Sequence, residues 1–371
     1  MKALVTGGAG FIGSHLADKI LREGWSVRVV DSLQPRVHPE GLPKHLAKEA
    51  EFIKGDVTER STWEKALEGV DVVFHEAAYQ DYVTDYSQFS QVNIVGTALL
   101  FEVLAASKQT VQRVVVASSQ AVYGEGQYTC KEHGLVMPTP RSRSQLEKSD
   151  WDVHCPQCGL SMEAALLDEN YSSPLSPYGI SKYGQELTCL RLGAITGIPS
   201  VALRYSITQG PRQSMFNQYS GIARIFTYKL KKGEAPVAFE DGLLQRDYVH
   251  VQDVVEANWL VSQDERAIGQ AFNVGSGTPT TVLEYGRRLA AKLGKTIEPQ
   301  VSGIFRVGDA RHSVSSVAKL KALGWNPKRD LNTILDDFLA WVDTLGGLER
   351  FSSDAHEQLL KMDVLRKSNS N

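Results

Sequence analysis

The sequence predicts an α/β protein whose first half is a doubly wound, parallel sheet. Three observations predict it. Short apolar segments alternate with helical patterns, the βαβα order that such sheets need. The segments are valine-rich and almost continuously apolar, as strands covered on both faces are. A glycine-rich turn also stands directly between the first strand and the first helix.

The elements follow in order. KALVT reads as strand one. The helix after it carries Ile12, Leu16 and Ile20 at four-residue spacing and stops at Gly24. WSVRVVD is strand two, EFIKGD strand three, VDVVFHEAA strand four and VQRVVVASS strand five, with helical patterns between them, notably over 91–107. Residues 124–177 break the rhythm with PTPRSRSQ, several glycines and three of the four cysteines. Beyond them SPYGISKYGQELTCLRLGAITGI is a helix and SVALRYS another strand. From 206 the pattern is mixed, with helices near 284–293 and 332–344, and the polar tail RKSNSN is expected to fray. The expected organisation is a doubly wound domain over 1–205, interrupted by a cysteine-containing insert at 125–172. A smaller C-terminal α/β lobe spans 206–345, with 246–276 returning to the first domain, and 346–371 form a partly flexible extension.

Composition bounds the function. The 371 residues are 42% hydrophobic and 22% charged with a formal net charge of −3, enough chain for two lobes and no basic excess for nucleic acid or an anionic membrane. No apolar run approaches the roughly 18 residues of a membrane span. The opening MKALVTGGAGFIG is glycine-broken and reads as strand and turn, not as a secretory signal. Four cysteines do not make a disulfide scaffold; a reducing cytoplasm is expected, where Cys-x-x-Cys binds metal or does redox work.

TGGAGFIG places Gly7, Gly10 and Gly13 at the strand–helix junction, with Phe11 and Ile12 in the same turn. Gly7 permits the tight turn, Gly10 lets the backbone approach a pyrophosphate, and Gly13 lets the helix pack closely. Free N–H groups of the helix start face the phosphates. The pattern reads as a Rossmann-type dinucleotide site, with a plain glycine turn as the alternative. Asp31 ends strand two, 18 residues after Gly13. An acid there accepts hydrogen bonds from the adenosine ribose and repels a 2′-phosphate, which favours NAD over NADP; the alternative is a turn cap. Asp56, followed by Val57, ends strand three and is placed to hold the adenine amino group, with a plain turn residue as the alternative.

YGISK puts Tyr178 and Lys182 four residues apart on a helix, so they share a face. A lysine ammonium beside a phenol lowers its pKa and lets Tyr178 act as a base near neutral pH. The bare pattern is common on helix surfaces; it gains weight from ASSQAVYG after strand five. There Ser118 and Ser119 stand at the carboxyl end of a strand, where open α/β sheets bind ligands.

Together these stretches resemble the extended short-chain dehydrogenases/reductases of the NAD-dependent sugar-nucleotide epimerase/dehydratase type. The resemblance runs from residue 1 to about 345 and rests on TGGAGFIG, GDV, FHEAA, VNIVGT, SSQAVYG, YGISK, LRY and GPRQ, RDYVHVQDV, FNVGSG and RVGDARH. It implies a catalytic triad of Ser119, Tyr178 and Lys182, with Ser119 preferred over Ser118 because it lies four residues before Tyr123 of the VYG marker. It implies that Asn93 supports the active-site end of the sheet within the cofactor-binding set, and that Ala77, Ala78 and Tyr79 form the loop beside the nicotinamide-side phosphates and ribose. Arg246 and Arg306 match two arginines that grip a nucleotide-sugar diphosphate, to which a guanidinium fork is suited; the alternative is minor surface ion pairs.

Dehydratases of this family commonly carry acids immediately after the catalytic Ser or Thr. Here Gln120 and Ala121 stand there, and neither does acid–base work. The resemblance therefore implies 4-epimerisation of a UDP- or dTDP-linked sugar through a transient 4-keto sugar, with NAD held throughout. Competing readings are a reductase, dehydratase or decarboxylase of the same family, and a dinucleotide-sensing regulator, a class that typically loses the tyrosine or the lysine. One departure is that Ser206 and Ile207 replace an aromatic–asparagine pair, so phosphate or sugar contacts differ in detail. The helices near 91–107 and 178–196 resemble the pair through which such enzymes form homodimers.

Ser119 and Tyr178 are 59 residues apart, more than the family needs. A long insert requires its own organiser. Cys130 and His133 form one half-site and Cys155 and Cys158 another, with 21 residues between the halves, the arithmetic of a closed, structural Cys3His zinc site. His154 is a rival nitrogen ligand, Cys130 a candidate plain buried thiol, and a redox pair at Cys155 and Cys158 a further alternative. Cys189 is expected in the core. A similar Cys-x-x-Cys insert occurs in a subset of bacterial 4-epimerases acting on nucleotide-linked deoxysugars.

Overall fold

The computed structural model describes residues 1–81, 85–107, 109–215, 221–346 and 365–368. Its centre is a seven-stranded parallel sheet. The strands are β1 (Lys2–Thr6), β2 (Ser26–Asp31), β3 (Glu51–Lys54), β4 (Val72–His75), β5 (Arg113–Ser119), β6 (Ser200–Tyr205) and β7 (Ala271–Val274), ordered β7-β6-β5-β4-β1-β2-β3. Side chains alternate across it. Ala3 and Val5 of β1 enter one core while Leu4 enters the other, so both faces are apolar.

Helices cover both faces. On one side lie α1 (Phe11–Arg22) and Val251–Gln263, packed through Leu16, Ile20, Val254 and Val261. On the other lie α2 (Arg60–Leu67), α3 (Tyr86–Ser107) and α4 (Pro177–Thr196), around Trp63, Leu100, Phe101, Leu104 and Cys189. α3 begins five residues earlier than the apolar pattern suggests and widens to a π-turn over Gln91–Val95. It is long and apolar enough to cross a membrane, yet half of its most apolar window is buried inside the protein. α4 is cut cleanly: Ser176 caps it by accepting from Gly179 N, Pro177 opens it, and Gly197 at φ 73° ends it. Strand order reverses between β1 and β4, so the carboxyl ends of these two strands open the crevice where α/β sheets bind ligands.

The second lobe packs helices Gly221–Lys231, Val282–Lys292 and Leu331–Asp343 around Phe226, Tyr285, Leu289, Leu335 and Phe338. The buried Asp247 carboxylate fastens it to the sheet, accepting from Ser206 Oγ, Ser276 N and Oγ, Gly277 N and Ser315 N at 2.6–3.3 Å. The insert is organised, with strands Tyr128–Cys130, Gly134–Val136 and Glu163–Ala164 over a small core of Tyr128, Val136, Val153 and Met162. The tail corrects its expectation in part. Arg366–Lys367 pair with Ile304–Phe305 and Leu365 is buried, because an apolar residue there meets an open strand edge. Residues 369–371 lie outside the described ones.

Candidate active site

One cavity of about 1240 Å³ runs from the glycine turn to the second lobe. At its first end Gly7 holds φ 64°, and a Cβ on it would sit 2.8 Å from Ala77 N. A Cβ on Gly13 would lie 2.4 Å from the Gly7 carbonyl oxygen, so α1 starts hard against the turn itself. Gly10 caps α1, leaving the N–H groups of the first turn, with Phe11 and Ile12, on the cavity wall. Asp31 also faces the cavity while accepting from Ala9 N (3.1 Å) and Leu33 N (2.9 Å). It thus braces the glycine turn and caps its own. Asp56 accepts from Thr58 N and Oγ1, a turn residue by its bonds, and lines the cavity with Val57.

Ala77, Ala78 and Tyr79 form the wall beyond β4. Asn93 is not on that wall. It is fully buried in the π-turn, accepts from Tyr79 N (2.8 Å), and donates to Tyr79 O (3.1 Å) and Ser181 Oγ (2.8 Å). Through these bonds Asn93 braces the 77–79 loop against α4.

At the cavity's middle the Tyr178 phenol hydrogen-bonds Ser119. The structure separates the two serines: Ser119 faces Tyr178, whereas Ser118 donates to Glu186 Oε2 at 2.6 Å. Lys182 is 1% exposed, and its amine donates to Gln185 Oε1. The expected lowering of the phenol is not seen in this geometry. Burial pushes Tyr178 up to about 12, the Ser119 bond opposing it and the Glu76 charge adding to it. Burial likewise pulls Lys182 down to about 7, against the charges of Glu76 and Glu186. Glu76 itself, raised to about 7 by burial, accepts from Tyr205 OH at 2.9 Å. This carboxyl escaped the sequence reading because its neighbours Tyr178, Lys182 and Tyr205 come from other elements; an acid at the end of β4 was the one available signal.

The far end carries Arg246 and Arg306 on the wall. Arg246 donates to Arg311 O (3.2 Å) and pairs with Asp309 Oδ1 (3.3 Å), an acid held below its usual range, burial notwithstanding, by Arg246, Arg306 and Arg141. Ser206 is turned to Asp247, while Gln120 Oε1 accepts from Ser313 Oγ at 3.2 Å.

In the insert, Cys130, His133, Cys155 and Cys158 offer ligand atoms within 4.8 Å of one another. His133 Nδ1 lies 3.6 Å from Cys130 Sγ and 3.5 Å from Cys155 Sγ, and Cys130 and Cys158 sulfurs are 3.7 Å apart. A tetrahedral ion with metal–sulfur bonds of about 2.3 Å spaces its sulfurs by roughly 3.8 Å. His154 points elsewhere, to Asp150 at 2.9 Å. Cys130 is drawn down to about 6, burial opposing, and the His133 contact and backbone N–H groups prevailing. Cys189 is buried in the sheet core.

A family model described as the NAD dependent epimerase/dehydratase family matches residues 3–145 and 156–275. A dTDP-L-rhamnose 4-epimerase of Burkholderia thailandensis is 33% identical over 348 residues, covering 92% of this chain and 94% of that protein. A UDP-glucose 4-epimerase of Mycolicibacterium smegmatis is 31% identical over 336 residues, covering 88% and 94%. Among solved structures, UDP-glucose 4-epimerase from Thermotoga maritima with UDP-glucose superposes at TM-score 0.74 with 31% identity, covering 93% of this chain and 99% of that one. The Thermus thermophilus UDP-glucose 4-epimerase complex with NAD gives 0.72 and 29%, covering 91% and 99%.

Proposed function

The chain belongs to the NAD-dependent epimerase/dehydratase family, and on that premise we propose that it is a 4-epimerase of a UDP- or dTDP-linked sugar. The observation that carries this reading is the Ser119–Tyr178 pair at the middle of one cavity, between a glycine cradle and two arginines. The cradle fits a dinucleotide: a Cβ at Gly7 or Gly13 would collide with the backbone that shapes the turn, and the start of α1 faces the cavity. Gly7, Gly10 and Gly13 with Phe11 and Ile12 would hold the pyrophosphate side of NAD. Asp31 would take the adenosine ribose and Asp56 with Val57 the adenine, while Ala77 to Tyr79 and Lys182 would take the nicotinamide side. When bound, NAD supplies a reversible acceptor for the sugar's C4 hydrogen.

The chain's own residues handle the proton. Ser119 orients the 4-OH, and Tyr178 removes its proton and later returns it. Lys182, which donates to Gln185 here, would reach the nicotinamide ribose and Tyr178 when NAD is bound and offset the burial that otherwise keeps the phenol protonated. Arg246 and Arg306 hold the diphosphate while the 4-keto sugar turns between them and Tyr178. Gln120 and Ala121 supply no acid for elimination at a neighbouring carbon. In this reading residues 1–205 bind NAD and 206–345 bind mainly the substrate.

Cys130, His133, Cys155 and Cys158 would hold a zinc ion; four protein donors would leave no open position, so its role would be structural. None of the four cysteines is in a disulfide, which suits a reducing, cytoplasmic setting. A homodimer is supported by exposed apolar residues on α3 and α4, among them Val95, Ile180 and Leu187. Incubation with a panel of UDP-, dTDP- and GDP-sugars, followed by NMR, is expected to show a C4 epimer. Product should retain substrate-derived label at C4 without added NADH. Tyr178→Phe is expected to lose activity by about 10²–10⁴-fold while still carrying NAD. Full turnover in that variant overturns the mechanism.

A further inference from the structure

The insert does more than close on itself. Its Arg141 side chain is 2% exposed and reaches out of the insert. It donates to Glu240 Oε2 at 2.9 Å, to the Asp309 carbonyl at 2.9 Å and to the Trp151 carbonyl at 3.2 Å, and pairs with Glu125 at 3.4 Å. Glu125 in turn accepts from Arg311 N at 2.7 Å, and Arg311 pairs with Glu240 and Asp241 at 2.9 and 2.6 Å. The network is alternating in sign and almost wholly buried, so each charge has its partner. It converges on residues 309–311. The same short loop takes Arg246 from its other side, through Asp309 Oδ1 and Arg311 O.

Glu240 shows how the contact is specified. Its φ is 53°, in the left-handed region that disfavours a residue with a Cβ. Two backbone bonds hold it there, Glu240 N to Ile304 O at 2.7 Å and Gly303 N to Glu240 O at 3.2 Å. The conformation delivers a carboxylate, 1% exposed, onto the insert's arginine. A turn built only for chain reversal would take glycine at that position.

We propose that Arg141 is a positioning residue, which anchors the insert to the 309–311 loop and so sets the placement of Arg246 and Arg306 on the substrate diphosphate. The inference rests on the reading of these two arginines as the diphosphate grip. The insert is thereby coupled to the nucleotide-sugar site through the 309–311 loop. Its Arg143 also lines the cavity.

The test uses the full-length protein and two variants. Arg141→Gln breaks the network from the insert. Glu240→Gly breaks it from the second lobe and relieves the left-handed backbone, so it keeps the fold where Arg141→Gln leaves the buried Glu125 without its ion-pair partner. UDP and dTDP binding is measured by calorimetry, together with kcat, KM and bound NAD. Both variants are expected to weaken nucleoside-diphosphate binding and raise KM by about tenfold or more, the worth of one misplaced charged hydrogen bond, with kcat and NAD content held. Arg141→Lys, which keeps charge but loses the fork, should fall between. Unchanged binding in both variants overturns the inference alone. So does loss of NAD and kcat together with binding, which marks a merely structural role. If the unmodified protein binds neither UDP nor dTDP, the nucleotide-sugar reading falls and takes this inference with it.

Discussion

Glu76 is the residue whose chemistry is least expected from its place in the chain. Its carboxyl is raised from 4.5 to about 7, mainly by burial. The folded state therefore keeps the proton that the unfolded chain releases. The sign follows: below pH 4.5 both states are protonated and Glu76 costs nothing, and as pH rises to about 7 the native state loses stability relative to a neutral side chain. Glu76→Gln can still accept from Tyr205 OH. Its melting temperature is expected to overtake the parent's progressively between pH 4.5 and about 7 and then run parallel, a gain of about 3 kcal/mol. A pH-independent difference between the two would rule this out. The catalytic pair was legible in the sequence because Tyr178 and Lys182 lie one helical turn apart and Ser119 closes a strand. Glu76 was not, because burial depends on which distant elements cover it. Nor was the direction of the phenol's shift, which follows from its burial, with the Lys182 amine turned to Gln185.

The insert teaches a different lesson at the scale of an element. The spacing of Cys130, His133, Cys155 and Cys158 was readable, since ligand geometry leaves a short-range imprint. The choice of His133 over His154 needed the Asp150 contact, and the docking through Arg141 had no local signature at all. Purified protein with reduced thiols is expected to carry close to one zinc per chain by mass spectrometry; metal-free protein with reduced thiols would exclude the site. Chelation is expected to lower the melting temperature and weaken nucleotide-sugar binding before it releases NAD, because the cradle at Gly7 to Gly13 shares no residue with the insert. The main strands and helices were legible from apolar runs and caps. The π-turn in α3 was not, since nothing in QVNIV departs from an ordinary helical stripe.

For the whole molecule, the exposed apolar residues of α3 and α4 bear on assembly. Ile180 and Leu187 are 55% and 38% exposed and lie seven residues apart on one helix face. Ile180→Glu combined with Leu187→Glu is expected to convert a dimer to a monomer in sedimentation equilibrium. A parent protein that is already monomeric under the same conditions would remove the dimer from the proposal.

The seventh strand has a consequence for how the protein is made. β7 comes from Ala271–Val274, yet it covers β6, all six of whose residues are buried. A nascent chain that has emerged only to residue 205 exposes SVALRY as an unpaired apolar edge, a template for association with other chains. That edge stays open until some seventy further residues have been synthesised, so the polypeptide passes through a vulnerable interval on the ribosome. A fragment ending at residue 205 is expected to precipitate or to be retained by chaperones, and one ending after Val274 with its helix Val251–Gln263 to stay in solution more readily. Equal solubility of the two fragments would show that the edge is protected some other way.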